Sequence, residues 1–401
     1  MRILNVTQTY GPFLEFGGPP VKVRALSEAL VRLGHPVTVL TADWGIDRLA
    51  QPQLVRFERS AFGWRYEEKG VQAIYLPTWL SYHATTWNPA VRRFCRARLQ
   101  NFDVVHIFGL YDLLGPRVAS ACRRRNIPFV VEPIGMFRPI VRSLWLKRLY
   151  HSFLGRDLLS AARFVVATSE LEAGELASAG VTKEKIFLRR NGVEGPASVP
   201  GPGTFRAAQN ISAETKLILF LGRLSQKKSP DLLLEAFAKL VNMLKGNDLR
   251  LVVVGPDQGG MKAQLMQMAE QLGVVSSVQF CEPLYGEAKW AAYRDADVFV
   301  LPSQNENFGN TAAEAVSAGT PVVVTEQCGI APLLANTAGL VVAHTVTGIA
   351  DGMKRVLFEP GLRARLAEGC REVTSKLGWE EPVRVMETLY RQLIASNKQG
   401  A

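Results

Sequence analysis

Residues 303–325 read S-Q-N-E-N-F-G-N-T-A-A-E-A-V-S-A-G-T-P-V-V-V-T, and this stretch decides the fold. It connects two short apolar runs, at 297–301 and 321–325, of the kind that form buried strands of a parallel sheet. The residues between them predict a polar loop and then a helix that Asn310 or Thr311 caps. Since ligands of such sheets bind outside the carboxyl ends of the strands, we expect a binding site at this loop.

The loop contains a candidate phosphate site. The segment 308–311 offers a series of backbone N–H groups at a helix N-terminus, and Gly309 lets a ligand come close. Glu306 before the segment and Glu314 after it can turn toward one pocket. A phosphate site with two hydroxyl-binding carboxylates beside it predicts a nucleotide-sugar as ligand. Thr311-x-x-Glu314 also fits a capping box, which is the structural alternative.

The pattern E-x-F-G-x-x-x-x-E-A, followed by a small residue, Gly, x, Pro and a run of valines, resembles the signature of the retaining glycosyltransferases of family 4, also called group 1. The resemblance extends over most of the chain. It implies the GT-B fold, an α/β fold in which two Rossmann-like domains, each with a doubly wound parallel sheet, face a central cleft. It also implies that Glu306 contacts the donor sugar, that Glu314 holds the nucleotide ribose, and that the backbone between them binds the diphosphate.

The composition is that of a globular protein with two domains. A chain of 401 residues, 47% of them apolar, can give each domain a sizeable core. No apolar run of about 18 residues and no signal peptide is recognisable, so we expect a cytoplasmic protein. The five cysteines are scattered without zinc spacing, which predicts reduced and mostly buried thiols.

The net charge of +11 arises in the first half of the chain. Residues 1–195 hold 27 Lys and Arg against 16 Asp and Glu, whereas the remainder is balanced. Arginine clusters at 92–98 and 123–125, with Trp79 and Trp87 nearby, fit peripheral contact with an anionic membrane on its inner face. A solvated helix face is the competing interpretation. No nucleic-acid-binding module is visible, so we expect no nucleic-acid partner.

The first strand, at 3–7, leads into a loop that contains Gly17 and Gly18 ahead of a helix. The two glycines allow a sugar or a phosphate to approach the backbone, although a plain turn explains them in isolation. They resemble the family's N-terminal glycine loop, which also precedes a helix and then the pattern G-H-x-V-x-V, here at 34–39. The dinucleotide fingerprint G-x-G-x-x-G is absent.

Two histidines that relatives carry on the acceptor side are missing. The strand at 103–109 places His106 and Phe108 on one face. Many relatives have a histidine at the position of Phe108, and often another at the position of Ile134. His106 matches a histidine that lies deeper in the family's fold. For it we expect a buried, hydrogen-bonded role rather than catalysis.

Glu132 is the candidate for the role that the two missing histidines have on the acceptor side. It ends an apolar strand, shortly before Gly135, on the side expected to face the cleft. We hypothesise that its carboxylate orients or deprotonates the acceptor hydroxyl. The structural alternative is a salt bridge to Arg138 or Arg142.

A Gly- and Pro-rich stretch at 191–203 prevents regular structure and marks a domain boundary near residue 200. The resemblance makes residues 1–200 the acceptor-binding domain and residues 201–379 the nucleotide-sugar-binding domain. It also implies that a final helix, at about 380–397, crosses back to the first domain.

The second half begins with a strand and then the pattern G-R-L-x-x-x-K at 222–228. Arg223 can fork onto phosphate oxygens, and Lys228 supplies a point charge at the start of a helix that Ser229 caps. Basic loop residues are ordinarily solvated. This pattern, however, resembles the family's diphosphate motif, with Ser229 in place of a frequent glycine.

These features predict a retaining glycosyltransferase that moves a sugar from a nucleoside-diphosphate-sugar to a hydroxyl acceptor, without cofactor or metal. The expected pathway is cell-envelope polysaccharide or glycolipid synthesis. Asp295-x-Asp297 has the spacing of a metal-binding pair but runs into a buried strand, so fixed cations and backbone dipoles are expected to stabilise the leaving diphosphate. A nucleotide-sugar epimerase of similar fold and a non-catalytic binder of nucleotide-sugars or glycolipids are the alternatives.

The predicted site residues fall into three sets, with no metal ligand among them. The catalytic set is Glu306, Arg223, Lys228 and Glu132. The donor-binding set is Gly17, Gly18, Gly222, Arg223, Lys228, Glu306, Asn307, Phe308, Gly309, Asn310, Thr311 and Glu314. The acceptor-side set is His106, Phe108, Glu132 and Gly135.

Overall fold

The computed structural model of the protein describes residues 1–12, 18–43, 46, 57–82, 85–136, 150–196, 198, 200–257 and 259–399. The chain divides into two compact units, Met1–Gly192 with Trp379–Ala401, and Val193–Gly378. The division falls a few residues before the boundary that the sequence predicts near residue 200. The segment after Gly378 belongs to the first unit.

Parallel strands form the middle of the first unit. Its strands are β1 (Ile3–Val6), β2 (Val37–Ala42), β3 (Glu58–Ser60), β4 (Gly63–Glu68), β5 (Val71–Leu76), β6 (Leu80–Tyr82), β7 (Thr85–Trp87), β8 (Val104–Phe108), β9 (Phe129–Glu132), β10 (Phe164–Ala167) and β11 (Ile186–Leu188). A nine-stranded sheet has the order β11-β10-β9-β8-β1-β2-β5-β4-β3. The strands from β11 to β5 pair in parallel, β4 and β3 extend the edge in antiparallel pairing, and β6 pairs with β7 in a separate hairpin.

Amphipathic helices cover the faces of this sheet. They are Gly18–Arg32, Ala90–Arg98, Leu114–Arg124, Arg156–Ala161, Glu170–Ser178 and Glu380–Gln399. The last helix packs its apolar residues, such as Met386 and Leu389, into the same core as Leu26 of the first helix. Ser169 caps the helix Glu170–Ser178, since its side chain accepts a hydrogen bond from the Glu172 N–H at 3.1 Å.

The second unit has a sheet of parallel strands only. Its strands are β12 (Lys216–Leu221), β13 (Leu249–Val254), β14 (Val278–Cys281), β15 (Val298–Leu301), β16 (Val322–Thr325) and β17 (Gly339–Val342). They lie in the order β14-β13-β12-β15-β16-β17. The helices of this unit are Thr204–Ala208, Pro230–Met243, Met261–Gln271, Gly286–Asp295, Asn310–Ser317, Ala331–Leu334, Val346–Phe358 and Leu362–Thr374.

The apolar runs of β12 explain why this sheet is covered on both faces. Leu217, Leu219 and Leu221 belong to one buried cluster, while Ile218 and Phe220 belong to the cluster on the other face. The order of the parallel strands reverses between β12 and β15 in the second unit and between β1 and β8 in the first. Loops at the carboxyl ends of these strand pairs are therefore placed to bind ligands.

Two features of the first unit were not part of the predicted α/β pattern. The antiparallel pair β3–β4 and the hairpin β6–β7 are short or polar, so they lack the apolar runs that identify the other strands. In the described part of the chain, no helix has both the length and the hydrophobicity that crossing a lipid bilayer requires.

Candidate active site

Two loops meet at the strand reversal of the second unit. The loop after β12 contains Lys228, and the loop after β15 contains Glu306. Their side chains form an ion pair and remain 20% and 17% exposed. The Gln304 N–H donates to the Lys227 carbonyl at 3.0 Å, which ties the two loops together through the backbone as well. Two predicted site residues, distant in sequence, thus come into direct contact.

Backbone hydrogen bonds join the Glu306 loop to the loop that follows β16. The Glu306 N–H donates to the Gln327 carbonyl at 2.9 Å, and the Glu306 carbonyl accepts from Gly329 at 2.8 Å. The Phe308 carbonyl accepts from Ile330 at 2.6 Å. The backbone around Glu306 is therefore fixed on both sides, while its carboxylate stays partly open to solvent.

Gly309 forms the N-cap of the helix Asn310–Ser317 in the left-handed conformation, with φ 111°. A Cβ atom there would come within 2.9 Å of the Ile330 side chain, so the position requires glycine on two grounds. The prediction that Asn310 or Thr311 caps this helix is wrong, because the N-cap residue is Gly309, which has no side chain. The first-turn N–H groups therefore remain suited to an anion.

Glu314 does not act in a capping box. One of its carboxylate oxygens accepts from Lys289 Nζ at 2.9 Å and the other from the Tyr293 hydroxyl at 2.9 Å. Burial raises the pKa of Tyr293 well above its usual value, and the Glu314 charge raises it further. Both partners come from the helix Gly286–Asp295, which contains no recognisable motif, and the sequence analysis missed them.

The loop after β12 shows why relatives often carry glycine at position 229. Ser229 has φ 49° and ψ 48°, a left-handed conformation that glycine adopts without steric cost. Its side chain does not cap the helix Pro230–Met243, contrary to the prediction. The hydroxyl lies 3.0 Å from His344 Nε2 instead. Arg223, next to Gly222 at the end of β12, is exposed.

Asp295 and Asp297 have structural partners. The Asp295 carboxylate accepts from the backbone N–H groups of Gly203 and Phe205, each at 2.7 Å, and so caps the helix Thr204–Ala208. Asp297 forms ion pairs with Arg206, at 2.9 Å, and with Arg363. This spacing therefore serves the packing of the second unit.

Glu132 ends β9 in the first unit and is completely buried. Its carboxylate forms ion pairs with Lys22 and Arg189, and its second oxygen lies 3.5 Å from His106 Nε2. Burial alone would raise the pKa of Glu132, but the charges of Arg189 and Lys22 outweigh it and hold that pKa well below the usual range. A base for an acceptor hydroxyl needs an oxygen that the acceptor can reach, so the structure contradicts the predicted catalytic role. The salt-bridge alternative named Arg138 and Arg142, which lie outside the described residues.

His106 is buried beside this carboxylate. Its Nδ1 lies 2.6 Å from the Tyr390 hydroxyl of the last helix, and its ring stacks on Phe108 with the centroids 3.8 Å apart. Burial lowers the pKa of His106 to about 4, although Glu132 opposes the shift. Both side chains of the expected acceptor strand are thus part of the core.

The remaining predicted residues of the first unit are three glycines. The Gly135 N–H donates to the Glu172 carboxylate at 2.8 Å. Gly18 begins the helix Gly18–Arg32, whereas Gly17 lies outside the described residues. The helix carries Lys22 toward Glu132, so the glycine loop and the buried ion pair are joined by one element.

Each of the two units matches a known protein family. The family described as "Glycosyl transferase 4-like domain" matches residues 17–192, and the family described as "Glycosyl transferases group 1" matches residues 203–373. A D-inositol 3-phosphate glycosyltransferase from Corynebacterium urealyticum is 33% identical, over 100% of this chain and 97% of that protein. A protein of the same name from Saccharomonospora viridis is 32% identical, over 60% of this chain and 58% of that protein.

A solved structure shares the architecture. The crystal structure of HepE from Anabaena in complex with UDP and glucose has a TM-score of 0.72 and 17% identity, over 98% of this chain and 100% of that chain. At this identity the likeness shows the fold alone. The predicted fold is confirmed, and the chain belongs to the group 1 glycosyltransferases of the GT-B type.

Proposed function

We propose that this glycosyltransferase takes its sugar from a nucleoside-diphosphate-sugar bound in the second unit, retains the configuration at the anomeric carbon and needs no metal. The observation that carries the proposal is the Lys228–Glu306 contact beside the N-terminus of the helix that begins after Gly309. It joins a cation, a carboxylate and an anion-binding helix end at the place where such sheets bind ligands.

The diphosphate fits the positive side of this site. A phosphate carries more charge than the Glu306 carboxylate, so it competes for Lys228 and releases the carboxylate toward the donor sugar. Arg223 lies on the same loop and can bind two phosphate oxygens at once. With the helix N-terminus, these groups neutralise the charge that develops on the leaving diphosphate, which supports transfer without a metal.

Glu314 fits the ribose of the nucleotide. Lys289 and Tyr293 each bond one of its oxygens, which fixes the orientation of the carboxylate, and the side chain remains 19% exposed. A carboxylate oxygen that already accepts one hydrogen bond has a second lone pair for a hydroxyl. The relative with bound UDP and glucose makes UDP-sugars the first donors to test.

The acceptor is proposed to be a hydroxyl of a glycan or of a lipid-linked sugar in cell-envelope synthesis. The hairpin β6–β7 supports contact with an anionic membrane, since Trp79, Leu80 and Tyr82 are all more than half exposed. Amphipathic aromatic side chains favour the membrane interface, and the excess of arginine in this unit favours anionic headgroups.

A donor screen tests the proposal. UDP-, GDP- and ADP-sugars are added one at a time in EDTA, and the thermal midpoint is followed for the wild type, Arg223→Ala and Lys376→Ala. Lys376 is a matched control, because it pairs with Glu372 at 2.8 Å on an exposed surface of the same unit. We expect one donor to stabilise the wild type and the control but not Arg223→Ala. Stabilisation of all three proteins alike would refute the assigned phosphate site.

A further inference from the structure

A cavity of about 490 Å³ in the first unit has no part in the proposed transfer. It lies between the helices Ala90–Arg98 and Leu114–Arg124. Arginines provide most of its described wall, and none of the described lining residues is acidic; the arginines are Arg92, Arg96, Arg117, Arg124 and Arg125.

Helical spacing directs these side chains into one groove. Arg92 and Arg96 are one turn apart on the first helix, and Arg117 and Arg124 are two turns apart on the second. Buried residues of both helices, such as Cys95 and Ala121, form the floor between the two rows. The cavity is thus a built groove rather than a chance grouping of loop residues.

The positive charge in the cavity has no counterion among the residues that the structure describes. None of the five arginines pairs with a carboxylate in the part of the chain that the structure describes. Arg124 donates to the Ser120 hydroxyl at 2.9 Å, and Arg125 donates to the Arg96 carbonyl at 3.5 Å, so neutral groups hold them in place. The Nε atom of Arg125 is buried without an acceptor among the described residues. Like charges held this close repel one another until an anion binds between them.

We propose that this cavity binds a ligand with clustered phosphate groups. Guanidinium groups pair with phosphate in two parallel hydrogen bonds, so several arginines on facing walls suit more than one phosphate. The volume falls within the range of small-molecule sites, about 300–1,000 Å³, and exceeds what a single phosphate ion fills. Phosphorylated sugars and phosphorylated lipid headgroups share this chemistry.

None of the lining residues is among those expected on the acceptor side, and one end of the cavity lies at the opposite edge of the sheet. Arg124 and Arg125 end their helix just before β9 begins, at the amino edge of the sheet. Gly135 follows the carboxyl end of β9. The ligand therefore anchors or regulates the enzyme rather than taking part in transfer, and the proposal does not depend on the donor.

Two probes test the proposal in about 0.15 M salt, where the Debye length is about 8 Å and diffuse attraction is screened. The first is inorganic pyrophosphate, measured by calorimetry, and the second is phosphatidylcholine vesicles that contain phosphatidic acid, measured by sedimentation. The cavity variant is Arg92→Gln with Arg96→Gln. Its matched control is Arg93→Gln with Arg98→Gln. These substitutions remove the same charge from the same helix, and the two arginines do not line the cavity.

We expect the cavity variant to weaken binding at least about tenfold, the loss of roughly 1.4 kcal/mol of charge-assisted hydrogen bonding, and the control by less than about twofold. Pyrophosphate bound at the donor site is recognised separately, because Lys228→Ala removes it. Cavity-dependent binding of pyrophosphate identifies a soluble phosphate as the source, and cavity-dependent binding of vesicles alone identifies a lipid headgroup. Equal losses in both variants, or no binding of either probe, would overturn the proposal.

Discussion

Two lysine–glutamate pairs, one in each unit, have similar positions in their sheets and opposite surroundings. Lys228–Glu306 and Lys22–Glu132 each involve a glutamate that follows a parallel strand at its carboxyl end. The first pair is about one-fifth exposed, whereas the second is completely buried and is joined by Arg189. A ligand can therefore compete for the first pair but not for the second.

Burial also changes how much each pair contributes to the stability of the fold. An exposed ion pair contributes about 0–1 kcal/mol to stability, because water screens it. Loss of one partner from a buried pair costs about 3–5 kcal/mol, because the other charge is left in a low-dielectric environment. The partly open pair therefore matters less for folding and can interact with a ligand. The buried pair matters more for folding and cannot be reached by a ligand.

The substitution Glu132→Gln is expected to have the largest effect on stability. It leaves Lys22 and Arg189 buried without a counterion, so the first unit should lose about 3–5 kcal/mol of unfolding free energy, measured by calorimetry. Glu387→Gln is the matched control, because Glu387 is partly exposed and pairs with His35 at 2.9 Å and with Arg391 at 2.7 Å in the same unit. Equal losses in the two variants would show that the buried cluster has no special weight.

The same substitution at Glu306 should affect catalysis instead. Glu306→Gln removes the charge that we assign to the donor sugar, and kcat/KM should fall about 100- to 1,000-fold. The unfolding free energy should fall by less than in Glu132→Gln, since the pair is about one-fifth exposed and water can reach the remaining lysine. Glu372→Gln, at an exposed pair of the same unit, should change neither quantity. A Glu306→Gln enzyme with wild-type kcat/KM would remove Glu306 from the site.

The buried cluster should make the first unit sensitive to acid. Burial lowers the pKa of His106 from 6.5 to about 4, so between these pH values the unfolded chain binds a proton that the folded chain does not. Stability therefore falls as the pH is lowered through this window, by about 2 kcal/mol from this group. The measurement is the unfolding free energy at pH 6.5 and pH 4.5.

His106→Gln removes the titrating imidazole and should reduce this acid sensitivity. His35→Gln leaves His106 in place, so this variant should keep the acid sensitivity of the wild type. If the pH dependence is the same in His106→Gln and the wild type, other groups control the acid response of the unit.

The smallest expected effect concerns the backbone beside the open pair. Ser229→Ala keeps a Cβ atom in the left-handed conformation and loses the hydrogen bond to His344, so it should lose about 1 kcal/mol of stability. Ser229→Gly loses the same bond but relieves the backbone, and it should be more stable than Ser229→Ala by about 1 kcal/mol. Thermal midpoints of the two variants in the reverse order would contradict the assigned conformation.

The sequence predicts the parallel strands of both units well, because runs such as that of β15 are apolar throughout and stand between turn residues. The sequence also identifies the loop that contains Glu306 as a candidate binding site. The polar strand β4 escapes prediction, since its pairing with β5 depends on neighbours and not on its own pattern.

The error at Glu132 and the missed partners of Glu314 have one physical origin. Whether Glu132 is open or buried depends on Lys22 and Arg189, which are distant in sequence. The partners of Glu314 likewise lie on another helix, in a segment without a motif. A motif specifies which residue types recur, but contacts of long sequence separation decide the electrostatic state of each one.

The return of the last helix to the first unit has a consequence for synthesis on the ribosome. Val193–Gly378 emerges as a complete unit before Tyr390 can reach His106 and close the core beneath β8. Domains generally fold as units in the order in which they are made. Here the unit that begins first is completed last, because part of one face of its sheet stays uncovered until the last helix has been made.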